Sequence, residues 1–181
     1  QCIIDNKNVA VFSYPLTHNV ECFGYKIVFK KQKGSLNANK LKELGIMPGP
    51  FYKEIKEADT FEYNGIVYNS SEFLSEDKPE KEISIIPDTR YFDGLREFVK
   101  NSNVIISECT YLLKEDAHHA RKNYHLSILD IEKIISQSKV ENLYLTHISA
   151  RYDRNIEKEA IESLRDKCNV KIAHDLEEYT L

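Results

Sequence analysis

The chain has no apolar stretch long enough to span a membrane and no secretory signal, so a cytoplasmic protein is expected. Its four cysteines, Cys2, Cys22, Cys109 and Cys168, are widely scattered and form no Cys-x-x-Cys pair. A disulfide framework is thereby excluded, and the four read as reduced thiols in or beside a core. No internal repeat or low-complexity tract is present. There is no excess of positive charge either: 25 Lys and Arg stand against 29 Asp and Glu, for a net charge of -4. What remains is a chain of 181 residues, 41% hydrophobic and 30% charged. That is enough for one sizeable core and too short for two comfortable ones.

The hydrophobic pattern opens with a hairpin-like pair, Cys2 to Ile4 and Val9 to Tyr14, followed by a strand over Cys22 to Phe29. Leu36, Leu41 and Leu44 have helical spacing and Gly45 is a stop, with a turn-rich break from Gly45 to Pro50. Asn64-Gly65 between Phe61-Glu62-Tyr63 and Ile66-Val67-Tyr68 predicts a hairpin. Ser70 to Lys81, rich in acids and lysine, reads as a mobile loop. Thereafter strands at Ile83-Ile86, Val104-Ser107, Leu143-Thr146 and Val170-Ala173 alternate with helices over Gly94-Asn101, Asp116-Lys122, Ser127-Gln137 and Asn155-Lys167. The alternation predicts an α/β layer. Ile128, Ile131, Ile134 and Ile135 form the core face of the third helix, with Ser127 as its N-cap.

Three of these strands end on side chains that can bind metal. His18 follows Val9 to Tyr14 through Pro15-Leu16-Thr17; Asp88 follows Ile83 to Ile86; His147 follows Glu141 to Thr146 and is joined by Ser149, Arg151 and Tyr152. Ligands of open α/β sheets bind beyond the carboxyl ends of strands. Imidazole and carboxylate are usual zinc ligands, and a carboxylate can bridge two ions. Spacing alone does not bring the three together, and an exposed loop with an ordinary His and Arg also accounts for the last stretch. His118 and His119 fall in a charged helix and His174 lies beside Asp175, positions that suit surface residues. Lys26 to Lys42 carries Lys26, Lys30, Lys31, Lys33, Lys40 and Lys42 without an acidic residue, a local basic segment in an acidic chain.

The ordered segments PLTHNVECFGY, GSLNANKLKELGIMPGPFY, IIPDTRYFDGLREF, ISECTY, YHLS and LTHISARY resemble, over nearly the whole chain, the C-terminal half of tRNase Z. This is the tRNA 3'-processing endoribonuclease family of the metallo-β-lactamase superfamily. The resemblance implies the C-terminal half of an αββα sandwich, with an exosite-like arm at residues 30–60 inserted in a single lobe spanning 1–181. It implies zinc ligands at His18, Asp88 and His147, with Asp88 bridging. His125 would protonate the leaving group, Glu108 would support His125, and Arg151 would hold a substrate phosphate. Lys30, Lys31, Lys33, Lys40, Gly49 and Pro50 fall in the arm that grips tRNA. Two departures stand out: Pro87 where the family usually has Gly, and Leu126-Ser127 after His125 where it usually has Ser-Thr.

A larger departure is an absence. The superfamily's His-x-His-x-Asp-His signature, which supplies most of the remaining ligands, occurs nowhere in the sequence. Two four-coordinate zinc ions need more protein ligands than three residues provide. The chain is therefore expected to be a fragment, inactive alone, whose N-terminal lobe is lost, disordered, cleaved or on another chain. The expected activity of the complete protein is removal of the 3' trailer from precursor tRNA, by a homodimer holding two zinc ions per site. Two alternatives are a non-catalytic RNA-binding or dimerising lobe and a hydrolase of another ester on the same metal frame.

Overall fold

The structure is a computed structural model and describes residues 1–179. Seven strands form one sheet: β1 (Cys2–Asp5), β2 (Val9–Pro15), β3 (Phe23–Phe29), β6 (Lys81–Ile86), β7 (Val104–Glu108), β8 (Asn142–Thr146) and β9 (Asn169–Ile172), neighbours in that order. The first four are antiparallel to one another and β6 to β9 are parallel. Parallel neighbours need crossovers, which are supplied by α3 (Gly94–Val99), α4 (Ala117–Lys122), α5 (Ile128–Ile135) and α6 (Arg154–Glu162). The expected alternation is thus present. In α5 the Ser127 side chain accepts from Asp130 N while Asp130 reaches back to Ser127 N, a capping box. The last helix is shorter than the sequence pattern predicts. After Glu162 the chain tightens into three-residue turns, with Lys167 N donating to Leu164 O at 3.0 Å, and still buries Leu164.

The two faces of this sheet differ. Ile86, Ile105, Leu143, Leu145, Val170 and Ile172 point into a core shared with Leu95, Phe98 and Val99 of α3, Ile128, Ile131, Ile134 and Ile135 of α5, and Ala160 of α6. Strand register puts Val9, Val11, Phe23, Tyr25, Ile27, Phe29, Ile83 and Ile85 on the opposite face. None of these eight is buried, and Phe23, Tyr25 and Phe29 are 37%, 38% and 42% exposed. A sheet with apolar residues on both sides and helices on one is one half of a layered sandwich.

Residues Lys30–Glu80 form a second compact unit, inserted between β3 and β6. Its core is Leu41, Ile46, Ile55, Phe61 and Phe73. Asn37 caps α1 (Ala38–Glu43), its side chain accepting from Lys40 N at 3.1 Å. β4 (Thr60–Tyr63) and β5 (Ile66–Asn69) pair antiparallel around Asn64 and Gly65. Both turn residues have positive φ, 53° and 76°, as the hairpin signal requires. The turn-rich break from Gly45 to Pro50 is present, and it is followed by a helix that the pattern did not predict, α2 (Phe51–Glu57), with Phe51 and Ile55 one turn apart on the core side. One sequence expectation fails here. The acidic Ser70 to Lys81 segment is not a loose loop: Ser70–Phe73 is a 3-10 turn that buries Ser70 and Phe73, and Leu74 and Lys78 bridge to Leu36 and Gln32. Gly34 is forced by this return, because a Cβ there would lie 1.8 Å from the Ser75 carbonyl oxygen.

Candidate metal and phosphate site

The carboxyl ends of β6, β7 and β8 and the loop after β2 meet around one buried carboxylate. Glu108 ends β7 and is 1% exposed. Its Oε1 accepts from Thr89 N at 3.1 Å, Leu126 N at 3.0 Å and His125 Nδ1 at 3.1 Å. Its Oε2 accepts from Thr110 N at 3.0 Å and Thr110 Oγ1 at 2.8 Å. One side chain thereby fixes the loop of Asp88 and the loop of His125. The loop of His18 joins through Thr89, whose Oγ1 accepts from Thr17 N at 3.0 Å, while Arg90 N donates to Thr17 O at 2.9 Å.

Asp88, His125 and His147 bring ligand atoms within 4.8 Å of one another. The His125 and His147 rings stack at 5.1 Å, and Asp88 Oδ1 is 3.7 Å from His147 Nδ1. His18 stands one ring further out, its centroid 5.3 Å from that of His125. The residue expected to handle a proton, His125, thus lies inside the cluster, with His18 beside it.

The hydrogen bonds fix the tautomers. His18 Nδ1 meets the Tyr124 carbonyl oxygen at 3.0 Å and must donate, and His125 Nδ1 donates to Glu108. Thr110 Oγ1 gives its proton to Glu108, so at 2.8 Å it accepts from His147 Nδ1. Each neutral ring then keeps its Nε2 lone pair, the arrangement that metal-binding histidines have when their other nitrogen is held. A nitrogen and oxygen donor set of this kind fits zinc. His147 has φ of 55° and Tyr124, just before His125, has φ of 62°. Left-handed backbone at residues other than glycine costs about 1–3 kcal/mol each and persists where the surroundings over-determine it.

Arg151, in the segment after His147, is half-exposed, with the Tyr111 and Tyr152 rings against its guanidinium and Asp116 at one end. Partial burial works to raise the Asp116 pKa, but the Tyr152 hydrogen bond, the His119 hydrogen bond and the Arg151 charge together hold it below the usual carboxylate range. Burial pushes the Tyr152 phenol up, with the Asp116 hydrogen bond adding to it. Cys22, near the His18 loop, is raised by burial and then by the Asp88 charge. Three contributors escaped the sequence reading: Thr17, Thr89 and Thr110. A hydroxyl one residue after Asp88 and another two after Glu108 were the available signal. Arg90 is a fourth, its guanidinium 4.9 Å from the Tyr124 ring centre.

The basic segment is less free than its sequence suggests. Lys26 pairs with Glu82 at 2.8 Å. Within the inserted unit Lys31 pairs with Asp77 at 3.0 Å, Lys33 donates to Glu57 O and Lys40 to Glu72 O. The Lys31 hydrogen bond, with the Gly34 amide, pulls the Asp77 carboxyl down. Gly49 and Pro50 are exposed. His118 and His119 lie on α4, His119 with its Nδ1 3.3 Å from Asp116, and no described helix is long and apolar enough to cross a membrane.

A one-sided α/β sheet with histidine and aspartate side chains at its strand ends has the architecture of the C-terminal half of a metallo-β-lactamase fold. The metallo-β-lactamase fold protein YhfI of Bacillus subtilis superposes with a TM-score of 0.55 at 16% identity, covering 95% of this chain and 50% of that one. The short form of human tRNase Z superposes with a TM-score of 0.53 at 15% identity, covering 97% of this chain and 43% of that one. In sequence, the chain is similar to Ribonuclease Z of Bacillus thuringiensis strain Al Hakam, 33% identical over 179 residues, which is 98% of this chain and 58% of that protein. The chain therefore resembles ribonuclease Z throughout, and spans a little over half the length of the curated relatives it matches. No protein-family model matches it.

Proposed function

We propose that this chain carries one half of the active site of a zinc-dependent endoribonuclease that removes the 3' trailer of precursor tRNA. The observation that carries the reading is that His18, His125 and His147 each have Nδ1 spent on a protein acceptor and Nε2 left over, with Asp88, His125 and His147 in one cluster. In this reading His18, Asp88 and His147 hold zinc, and bound zinc supplies Lewis acidity toward a phosphodiester. His125, backed by Glu108, takes up a proton from water on Nε2 and, as the imidazolium, delivers it to the departing ribose oxygen. Arg151, which stays charged, meets a non-bridging phosphate oxygen with its guanidinium.

The uncovered sheet face supports a further lobe: eight apolar residues of β2, β3 and β6 offer a second sheet the contact that a sandwich requires. That lobe would bring the remaining ligands. The complete enzyme is read as a cytoplasmic homodimer, and the present chain as inactive by itself. Intact mass of the protein from its native source tests the point, since the reading requires a species well above 21.1 kDa, or a second chain that copurifies.

The inserted unit is read as the grip on tRNA, with Lys30, Lys31, Lys33, Lys40, Gly49 and Pro50 on it. Removing residues 30–50 alone would gut its core, because Leu41 and Ile46 lie there. A cleaner test uses the register: Phe29 and Lys81 are direct partners across β3 and β6. An Asn-Gly turn can join them and replace the whole unit. In the complete enzyme, precursor tRNA cleavage should collapse while hydrolysis of a small phosphodiester persists. Equal survival of both activities would show that the unit is not the grip on tRNA, whereas failure of the intact enzyme to cleave precursor tRNA would favour the second reading, a hydrolase of another ester. The internal partners already found for Lys31, Lys33 and Lys40 support that alternative.

A further inference from the structure

The two adjacent histidines of α4 are engaged differently. His119 turns its Nδ1 to Asp116. His118 instead lines a cavity of about 270 Å³, together with Ala117 and Arg121 of α4, Asp130 and Lys133 of α5, and Tyr91. That volume falls just below the roughly 300–1,000 Å³ of sites that enclose a drug-sized ligand, so the cavity suits a chemical group rather than a whole molecule. Two permanent cations and an imidazole stand around it against one acid. That acid is largely spent: Asp130 Oδ2 accepts from Ser127 N at 3.1 Å and from Ser127 Oγ at 2.7 Å, and Oδ1 meets Lys133 Nζ at 3.4 Å. The Tyr91 ring forms a wall beneath Lys133, whose Nζ lies 5.2 Å from its centre, and the Tyr91 hydroxyl is turned to Asp93, to which it donates at 3.0 Å. Among the described residues, neither the Arg121 guanidinium nor the His118 ring nitrogens meet a hydrogen-bond or ion-pair partner.

We propose that this cavity is a site for a phosphate group, held by Arg121 and Lys133 with His118 as a further donor. All the N–H groups of the Arg121 guanidinium are uncommitted, so either of its two-donor edges can meet two phosphate oxygens. Donors arrive from two helices, and a tetrahedral oxyanion has an oxygen for each direction where a flat carboxylate has two in one plane. One capped acid against two fixed cations leaves the lining net positive. The place in the fold gives the site a use. Tyr91 is three residues after Asp88 and Arg121 is four before His125, so their backbones lie within about 15 Å of those residues, a span of a few nucleotides along a strand. A strand with its reacting phosphate at Asp88, His125 and His147 would leave a neighbouring phosphate for Arg121 and Lys133. That use rests on the reading of the cluster as a phosphodiester site; the phosphate site itself does not.

The competing view is a solvated basic surface, and a neighbour on the same helix separates the two. Lys122 directly follows Arg121 and carries the same charge, but it does not line the cavity. The full 181-residue chain is titrated at constant ionic strength with inorganic phosphate and, separately, with a ribodinucleoside monophosphate, while NMR follows the Arg121 Nε–H and His118 ring signals. Both signals should move to saturation with one dissociation constant, and the His119 ring should move less. Arg121→Gln and Lys133→Gln should each weaken binding about 2- to 5-fold, and together remove it, whereas Lys122→Gln should leave it unchanged. Saturation by the diester supports a nucleic-acid phosphate as the occupant; saturation by inorganic phosphate alone supports a free or terminal phosphate and removes the use proposed for RNA. No saturable shift with either probe, or an equal loss in Lys122→Gln, overturns the site. A zinc titration read at the imidazole nitrogens of His125 and His147 tests the cluster separately, because no residue lining the cavity belongs to it. Failure there with phosphate binding intact refutes the phosphodiester reading and leaves the cavity standing.

Discussion

Replacing Glu108 by glutamine changes almost no volume and should still disable the site. The five hydrogen bonds that Glu108 accepts cannot be accepted by an amide, which offers one oxygen and one NH2 group. With the NH2 at the Oε1 position, the backbone amides of Thr89 and Leu126 and the His125 ring would all face a donor. The oxygen must therefore stay there, and the NH2 meets Thr110. The Thr110 hydroxyl can turn to accept from it, but its own proton then points at His147 Nδ1. His147 must move its proton to Nε2, and its metal-binding lone pair is lost. Thr110 N is left facing a donor, at about 1–3 kcal/mol for an unsatisfied buried amide, and the remaining bonds lose their ionic character. Relief of burying a charge offsets part of this, so a net loss of about 2–4 kcal/mol is expected. Urea unfolding should show the midpoint falling by about 1–2 M at unchanged slope. Cobalt or zinc affinity should fall about 10- to 100-fold, as for other groups that orient metal-binding histidines. Imidazole nitrogen NMR reads the tautomer directly: a Glu108→Gln protein whose His147 keeps its proton on Nδ1 refutes the relay through Thr110.

Three further outcomes follow from other parts of the molecule. Gly34→Ala drives a methyl group to 1.8 Å from a backbone oxygen, so it should loosen the Lys30–Glu80 unit by about 1–3 kcal/mol or more; amide exchange should accelerate there and not in β7 or β8, and uniform protection would count against the close approach. Thiol alkylation at pH 8 should label exposed Cys2 first and leave Cys109, which is fully buried, unmodified in the native state. Cys168, pushed up to about 11 by burial and then by Asp166, should react slowly. The Asp116 carboxyl is held low in the folded state, so its contribution is present above the unfolded pKa near 4 and is lost as pH falls through the folded value. The stability gap between parent and Asp116→Asn should hold at neutral pH and close in acid; a gap that widens in acid would show the sign to be reversed.

Much of the fold was legible because strand and helix periods were unambiguous after Ile83, where buried strands alternate with amphipathic helices. The inserted unit was read less well. Its helix over Phe51–Glu57 is short, and its acidic return segment gains order only from contacts with residues some forty positions earlier, such as Gln32 with Lys78. Propensity cannot show such pairings. The candidate ligand residues stood out because histidine and aspartate at strand ends are conspicuous. The threonines that orient them did not, since a hydroxyl becomes informative only when its donor and acceptor are known. The same limit applied to the lysines, whose partners Asp77, Glu57 and Glu72 lie outside the basic segment.

The register of Phe29 opposite Lys81 has a consequence for how such a protein can vary. Between two residues already paired in a ladder, any inserted chain begins and ends at a distance that the sheet itself sets. Loop closure grows only slowly with length, at about 0.6 kcal/mol per doubling, so growth or loss at this point leaves the thermodynamics of the sheet nearly unchanged. Strand alignment, and with it the placement of Asp88 a few residues on, is insulated from what happens in between. Selection can thus rebuild the insertion without disturbing the arrangement of side chains at the strand ends.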